Sequence, residues 1–186
     1  MKTPGNAVLL DTTHFPRLEG YVKGVMTHFK DDKRVVIWDL FNEPENLSRR
    51  YEVLPNKAEV SLRLLRNVER WAREVNPSQP VTAGVWGGWL ASDSLTEISR
   101  FMLEHSDILS FHCYDDVEAL KEQILYLEAL NRPIVCTEYL ARSRDNTFEI
   151  FLPVFKEHTI GAYNWGLVAG KTQTQYPWDS WDSIYT

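Results

Sequence analysis

Short apolar runs alternate with longer amphipathic stretches along the chain, and that alternation predicts strands and helices in turn around a parallel sheet. Five runs rich in β-branched and aromatic residues read as strands: Val35–Phe41, Pro80–Trp86, Asp107–Tyr114, Arg132–Tyr139 and Thr159–Gly166. Apolar positions elsewhere recur with the 3.6-residue period of a helix that packs on a sheet. Leu18, Tyr21, Val22, Val25 and Phe29 form the first stripe; Val60, Leu64, Val68, Trp71 and Val75 form the second. Ser94 with Glu97 three residues later has the spacing of a capping box and predicts the start of a third helix. Val117, Leu120, Ile124 and Leu127 mark a fourth. A fifth, around Phe148–His158, holds Pro153, whose missing N–H predicts a kink or a restart.

The order is helix, then strand and helix four times, then a last strand. No Gly/Ser- or Pro-rich linker divides it, so one domain over residues 1–186 is expected. The fold class this predicts is α/β, an incomplete (β/α)8 TIM barrel. A closed barrel typically needs ~250 residues, and three strands at the front and a final helix are missing from the pattern. An open arc of parallel strands leaves two sheet edges unpaired. The chain is therefore expected to be a fragment of a longer protein, or to have its edges covered by another copy or chain.

Composition narrows the class. With 44% hydrophobic and 25% charged residues, the chain has the apolar content of a globular core, which argues against disorder. A formal charge of −6 without any basic stripe argues against nucleic acid as a partner. No run reaches the roughly 18 apolar residues of a membrane span, and the N-terminus shows no apolar run ending in a small-residue cleavage site. Seven tryptophans bring flat rings of the kind that cover the C–H faces of sugars, although rings are also ordinary core. If Glu138 points inward, period-2 alternation sends Cys136 inward as well and Cys113 outward, so no disulfide between them is expected.

Two carboxylates stand where barrel folds keep their chemistry, at the C-terminal ends of strands. Glu43 lies in VVIWDLFNEPEN between Asn42 and Pro44, and Glu138 ends RPIVCTEYL. A Glu-Pro pair is also an ordinary strand exit. A charged side chain at the position of Glu138, by contrast, would be buried at several kcal/mol unless partnered or functional. The histidines are scattered and no ligand-spaced pair is visible, so no metal is expected. Without G-x-G-x-x-G after a strand, no cofactor is expected either.

Taken together, Asn42-Glu43-Pro44, the strand-end Glu138, the triplet His112-Cys113-Tyr114 and Trp165 resemble glycoside hydrolase family 5, within the clan of retaining (β/α)8 glycosidases. The resemblance covers nearly the whole chain, as the third helix through the eighth strand. It implies that Glu43 is the acid/base at the end of the fourth barrel strand, and that Glu138 is the nucleophile at the end of the seventh. It further implies that Asn42 bonds the sugar 2-hydroxyl, that Tyr114 sits near Glu138, that His112 contacts the sugar or orients a carboxylate, and that Trp165 is the platform under the sugar. The bland alternatives are a turn-forming Asn42, a packing His112 and a core Trp165. Trp86, Trp178 and Trp181 are candidates for distal sugar contacts or simple barrel caps, and Lys171 and Arg142 for hydroxyl binding or solvation. Asp115 and Asp116 read as helix N-caps. An Arg and a His that the family supplies from its first three strands have no counterpart in this chain. The implied activity is an endo- or exo-acting retaining hydrolase of a β-glucan or β-mannan type polysaccharide or oligosaccharide. The alternative is a catalytically silent fragment that only binds carbohydrate.

Overall fold

A computed structural model of the chain describes residues 5–47, 54–86 and 95–166. The described residues fall into two compact units, divided between Ala83 and Gly84, between Leu95 and Thr96, and between Asp107 and Ile108.

The described residues of the first unit form four α-helices and a pair of parallel strands. A short helix α1 (Asn6–Leu10) and a 3-10 turn (Thr12–His14) lead into α2 (Phe15–Phe29). Asp11 caps the turn by accepting the Thr13 N–H at 2.9 Å. In α2 the face turned to the core carries Phe15, Leu18, Val22 and Met26. Tyr21, expected on that stripe, is 69% exposed; the apolar arc is centred away from it, and one ring beside Gly20 and Glu19 shifts the apparent stripe by a residue. Helix α3 (Lys57–Val75) follows its sequence pattern closely, burying Val60, Leu64, Val68 and Trp71. Trp71 meets Phe15 edge-on at 6.2 Å, and Lys23 of α2 pairs with Glu74 of α3 at 2.5 Å. Asn76 closes α3 in the left-handed conformation typical of a helix C-terminus.

Strands β1 (Trp38–Asp39) and β2 (Val81–Thr82) pair in parallel, Trp38 opposite Val81. Both are shorter than the sequence runs. Helix α4 (Glu97–His105) is capped by Thr96, whose hydroxyl accepts the Ser99 N–H at 3.2 Å. Thr96 therefore supplies the cap expected of Ser94, a residue outside the described ones. Asp107, expected as a strand residue, instead acts as a clamp. Its carboxylate accepts the Val81 N–H at 2.8 Å and binds Arg73 Nη1 at 2.8 and 3.0 Å, while its own N–H donates to the Val81 carbonyl.

The second unit holds three parallel strands in the order β3 (Leu109–Cys113), β4 (Ile134–Tyr139), β5 (Gly161–Ala162). Val85 adds a parallel bridge to Phe111 on the far side of β3. Every residue of β3 is buried, as expected of a parallel strand covered on both faces. Helix α5 (Val117–Glu128) is capped by Asp116, which accepts the Ala119 N–H at 3.0 Å. Asp115 has a different job and pairs with Arg144 at 2.8 Å. Helix α6 (Phe148–Glu157) runs through Pro153 without ending. Its Phe151 and Phe155 pack with Tyr139, at ring separations of 6.0 and 5.1 Å, and this aromatic burial holds the helix in place across the missing hydrogen bond.

A register shift in β4 changes which side chains share a face. Phe111 lies opposite Cys136, but the next residue, His112, lies opposite Glu138, so Thr137 is the extra residue of a bulge. Simple alternation is thereby broken. Cys136 shares the face of Phe111 and Cys113, opposite to that of His112 and Glu138, rather than the face of Glu138 as expected. Both cysteines are buried free thiols.

Candidate active site

Glu43 follows β1 in a loop that the first turn of α3 holds from below. Ser61 Oγ donates to the Pro44 carbonyl at 2.7 Å in a buried contact, and Lys57 Nζ donates to the Asn46 carbonyl. Glu43 itself adopts φ 43°, a left-handed conformation that non-glycine residues seldom take. Strain of this kind persists where the surroundings over-determine it and concentrates at functional sites. The Asn46 N–H donates to the Glu43 carbonyl at 3.1 Å, and Asn46 Nδ2 donates to Glu43 Oε2 at 2.5 Å. Backbone and carboxylate are thus both fixed. Asn42, beside it, is exposed.

The second unit brings together three of the expected residues. Tyr114, just beyond β3, donates its hydroxyl to Glu138 Oε2 at 2.5 Å. His112 Nδ1 lies 3.6 Å from the same oxygen, and the imidazole is almost wholly buried. The carboxylate side chain keeps 14% of its surface open. It is desolvated on most sides yet reachable, and one of its oxygens accepts the Tyr114 hydroxyl. The bulge at Thr137 is what aims it: without that extra residue, His112 and Glu138 would not stand opposite one another. Gly84 leaves room on this face, since a Cβ there would lie 3.3 Å from Ser110 Oγ and 3.7 Å from both His112 Nε2 and Thr137 Oγ1.

Trp165 is set beside the same strand end. Its N–H donates to the Tyr139 carbonyl at 2.9 Å, extending the β4–β5 ladder by backbone bonds, while the side chain remains 37% exposed. Trp165 thus stands three residues past β5 and outside the buried core. Trp86, one residue after the bridging Val85, is half-buried. Arg142 sits in a 3-10 turn after β4 with Nη1 buried and without a partner among the described residues. Trp178, Trp181 and Lys171 lie outside the described residues.

Neither thiol is activated as a nucleophile. Burial pushes Cys113 up to about 12 and Cys136 well above the ordinary thiol range, so both stay protonated and inert.

Sequence reading missed Asn146. It is fully buried between the ends of β3 and β4, and its amide makes three hydrogen bonds to their backbones. The signal in Arg-Asp-Asn-Thr is only that of a turn, because its partners are up to 33 residues away in sequence.

No protein-family model matches the chain, and no curated protein matches it by sequence. Solved structures do resemble it. Xylanase 10B from Thermotoga maritima superposes with a TM-score of 0.57 at 18% identity, covering 90% of this chain and 57% of that one. A glycosylated endo-β-1,4-xylanase of glycoside hydrolase family 10 from Gloeophyllum trabeum gives 0.55 at 19% identity, covering 78% and 53%. A β-D-glucuronidase from Dictyoglomus thermophilum gives 0.55 at 15%, covering 83% and 30%. The chain spans a little over half the length of the xylanases it matches. Identity this low speaks for fold alone. The chain has the fold of an incomplete (β/α)8 barrel, with parallel strands and intervening helices; these neighbours are glycosidase barrels, and they do not single out family 5.

Proposed function

We propose that the chain carries the reacting carboxylates of a retaining β-glycoside hydrolase that works by double displacement. The observation that carries the reading is Glu138 at the end of β4, largely desolvated, with the Tyr114 hydroxyl on one oxygen and an exposed Trp165 beside the same strand end. A hydroxyl donating to a carboxylate favours its ionised form, and an ionised carboxylate is what attack on an anomeric carbon requires. Glu138 attacks, and Glu43 as a carboxylic acid protonates the leaving oxygen, then serves as base toward the water that releases the sugar. Retention by this route needs the two carboxyl groups about 5–5.5 Å apart. Asn42 bonds the sugar 2-hydroxyl, His112 contacts the sugar or orients Glu138, and Trp165 and Trp86 stack against pyranose faces.

The substrate is a β-linked polysaccharide or oligosaccharide. A β-glucan or β-mannan is the class the family 5 resemblance favours, and the xylanase neighbours add β-xylan to the substrates to be tried. Glu138→Ala tests the reading: turnover should vanish while sugar binding, measured by calorimetry, survives. Near-normal hydrolysis by that variant would remove Glu138 as nucleophile. Sugar affinity in the unmutated protein with no cleavage of any β-glucan, β-mannan or β-xylan would instead select a silent carbohydrate-binding barrel.

A further inference from the structure

We propose that Asn146 is a positioning residue that sets the Tyr114–Glu138 hydrogen bond by tying the ends of β3 and β4 into one piece. Its catalytic meaning rests on the reading of Glu138 as nucleophile, whereas the geometry of the tie does not.

The amide of Asn146 is fully buried and uses both ends. Nδ2 donates to the Cys113 carbonyl at 2.8 Å and to the Asp115 carbonyl at 3.0 Å, so the carbonyls of the residues on either side of Tyr114 hang from one nitrogen. Oδ1 accepts the Leu140 N–H at 2.9 Å, two residues beyond Glu138. Leu140 has φ 98°, a conformation that strains any residue with a Cβ, and Asn146 satisfies the N–H which that conformation turns away from the strand ladder. Backbone bonds between Ala141 and Asn146, at 3.0 and 3.3 Å, fold the loop back so that the amide reaches. On the rim Arg144 pairs with Asp115 at 2.8 Å, an exposed contact that adds little.

The strand ladder between the two segments ends at Cys113 and Tyr139, so beyond it the buried tie is what holds the segment carrying Tyr114 to the end of β4. A hydroxyl–carboxylate bond of 2.5 Å tolerates little displacement. Loss of the tie should therefore act on Glu138 as loss of the Tyr114 hydroxyl does. Tyr114 and His112 are titratable side chains that face Glu138 among the described residues of its own unit, and His112 is the same in every variant below.

The experiment follows the Glu138 carboxyl by carbon-13 NMR in glutamate-labelled protein, with the signal assigned by its loss in Glu138→Gln. Tyr114→Phe should raise its midpoint by about one to two pH units, the size expected when a hydrogen bond to a charged group is lost. Asn146→Ala and Asn146→Leu should each produce most of that rise, and Asn146→Ala combined with Tyr114→Phe should go no further than Tyr114→Phe alone. The leucine variant retains the volume while deleting all three hydrogen bonds, which separates them from packing. A folded Asn146 variant with the native midpoint would overturn the proposal, as would fully additive shifts in the double variant. Loss of the fold in both Asn146 variants would overturn it too, by making Asn146 a folding residue. The expected shifts in a protein that hydrolyses no β-glycoside would leave the tie standing and remove the glycosidase reading.

Discussion

The Tyr114 hydroxyl and Glu138 Oε2 meet at 2.5 Å across neighbouring parallel strands, in a register that exists because Thr137 bulges out of the ladder. Removing this donor destabilises the ionised carboxylate and raises its pKa. Tyr114→Phe should therefore move the acidic limb of the kcat/KM profile upward by about one to two pH units. Its activity should fall far more at pH 5 than on the plateau. A pH–rate profile on a soluble β-glycoside measures this.

Glu43 in its strained turn is assigned the acid role, and an acid matters in proportion to how poorly the leaving group departs unaided. Glu43→Gln should lose about 10²- to 10⁴-fold on oligosaccharides and much less in glycosyl-enzyme formation from aryl glycosides with acidic phenols. Asn46→Ala, which removes the Asn46 amide's hydrogen bond to the Glu43 carboxylate, should give a weaker version of the same leaving-group dependence. A Brønsted plot against phenol acidity checks both.

The Asp107 clamp predicts a stability effect remote from chemistry. Asp107→Ala leaves the buried Val81 N–H without its acceptor and takes one carboxylate partner from Arg73, and should cost about 1–3 kcal/mol. Arg34→Ala, which breaks an exposed pair with Asp32, should leave the urea midpoint unchanged. Equilibrium urea unfolding of the two variants compares them directly.

Buried thiols make stability fall at alkaline pH. Unfolding returns Cys113 from about 12 to its ordinary value near 9, so the unfolded chain releases a proton that the folded one keeps. The contribution is whole below pH 9 and is lost as pH rises toward 12, by up to about 1.4 kcal/mol per unit. Cys113→Ala should flatten that part of the curve. In the native state at pH 8, neither thiol should react with a disulfide reagent.

Much of this architecture was legible because its signals are local. The stripe of α3, the Asp116 cap of α5 and the apolar run of β3 are read within one turn or one strand. Glu138 could be singled out because a charge ending an apolar run is costly without a partner. What escaped depends on distant residues. The strand end at Asp107 was overextended, because a carboxylate that accepts a neighbouring strand's N–H looks in sequence like one more strand position. The face of Cys136 was misjudged because a bulge is a property of the pairing and not of either strand. Asn146 was missed for the same reason: a turn-forming residue in sequence, it is a tie between two strand ends only once the chain is folded.

The covalent step is the most direct test of the account. A β-glycoside with fluorine at C2 and a good leaving group should complete the first displacement and stall, so intact-protein mass spectrometry should show one added fluorosugar. Peptide mapping should then place it on Glu138, with no adduct in Glu138→Ala. Hydrolysis with inversion at the anomeric carbon, or an adduct on a different carboxylate, would contradict the assignment.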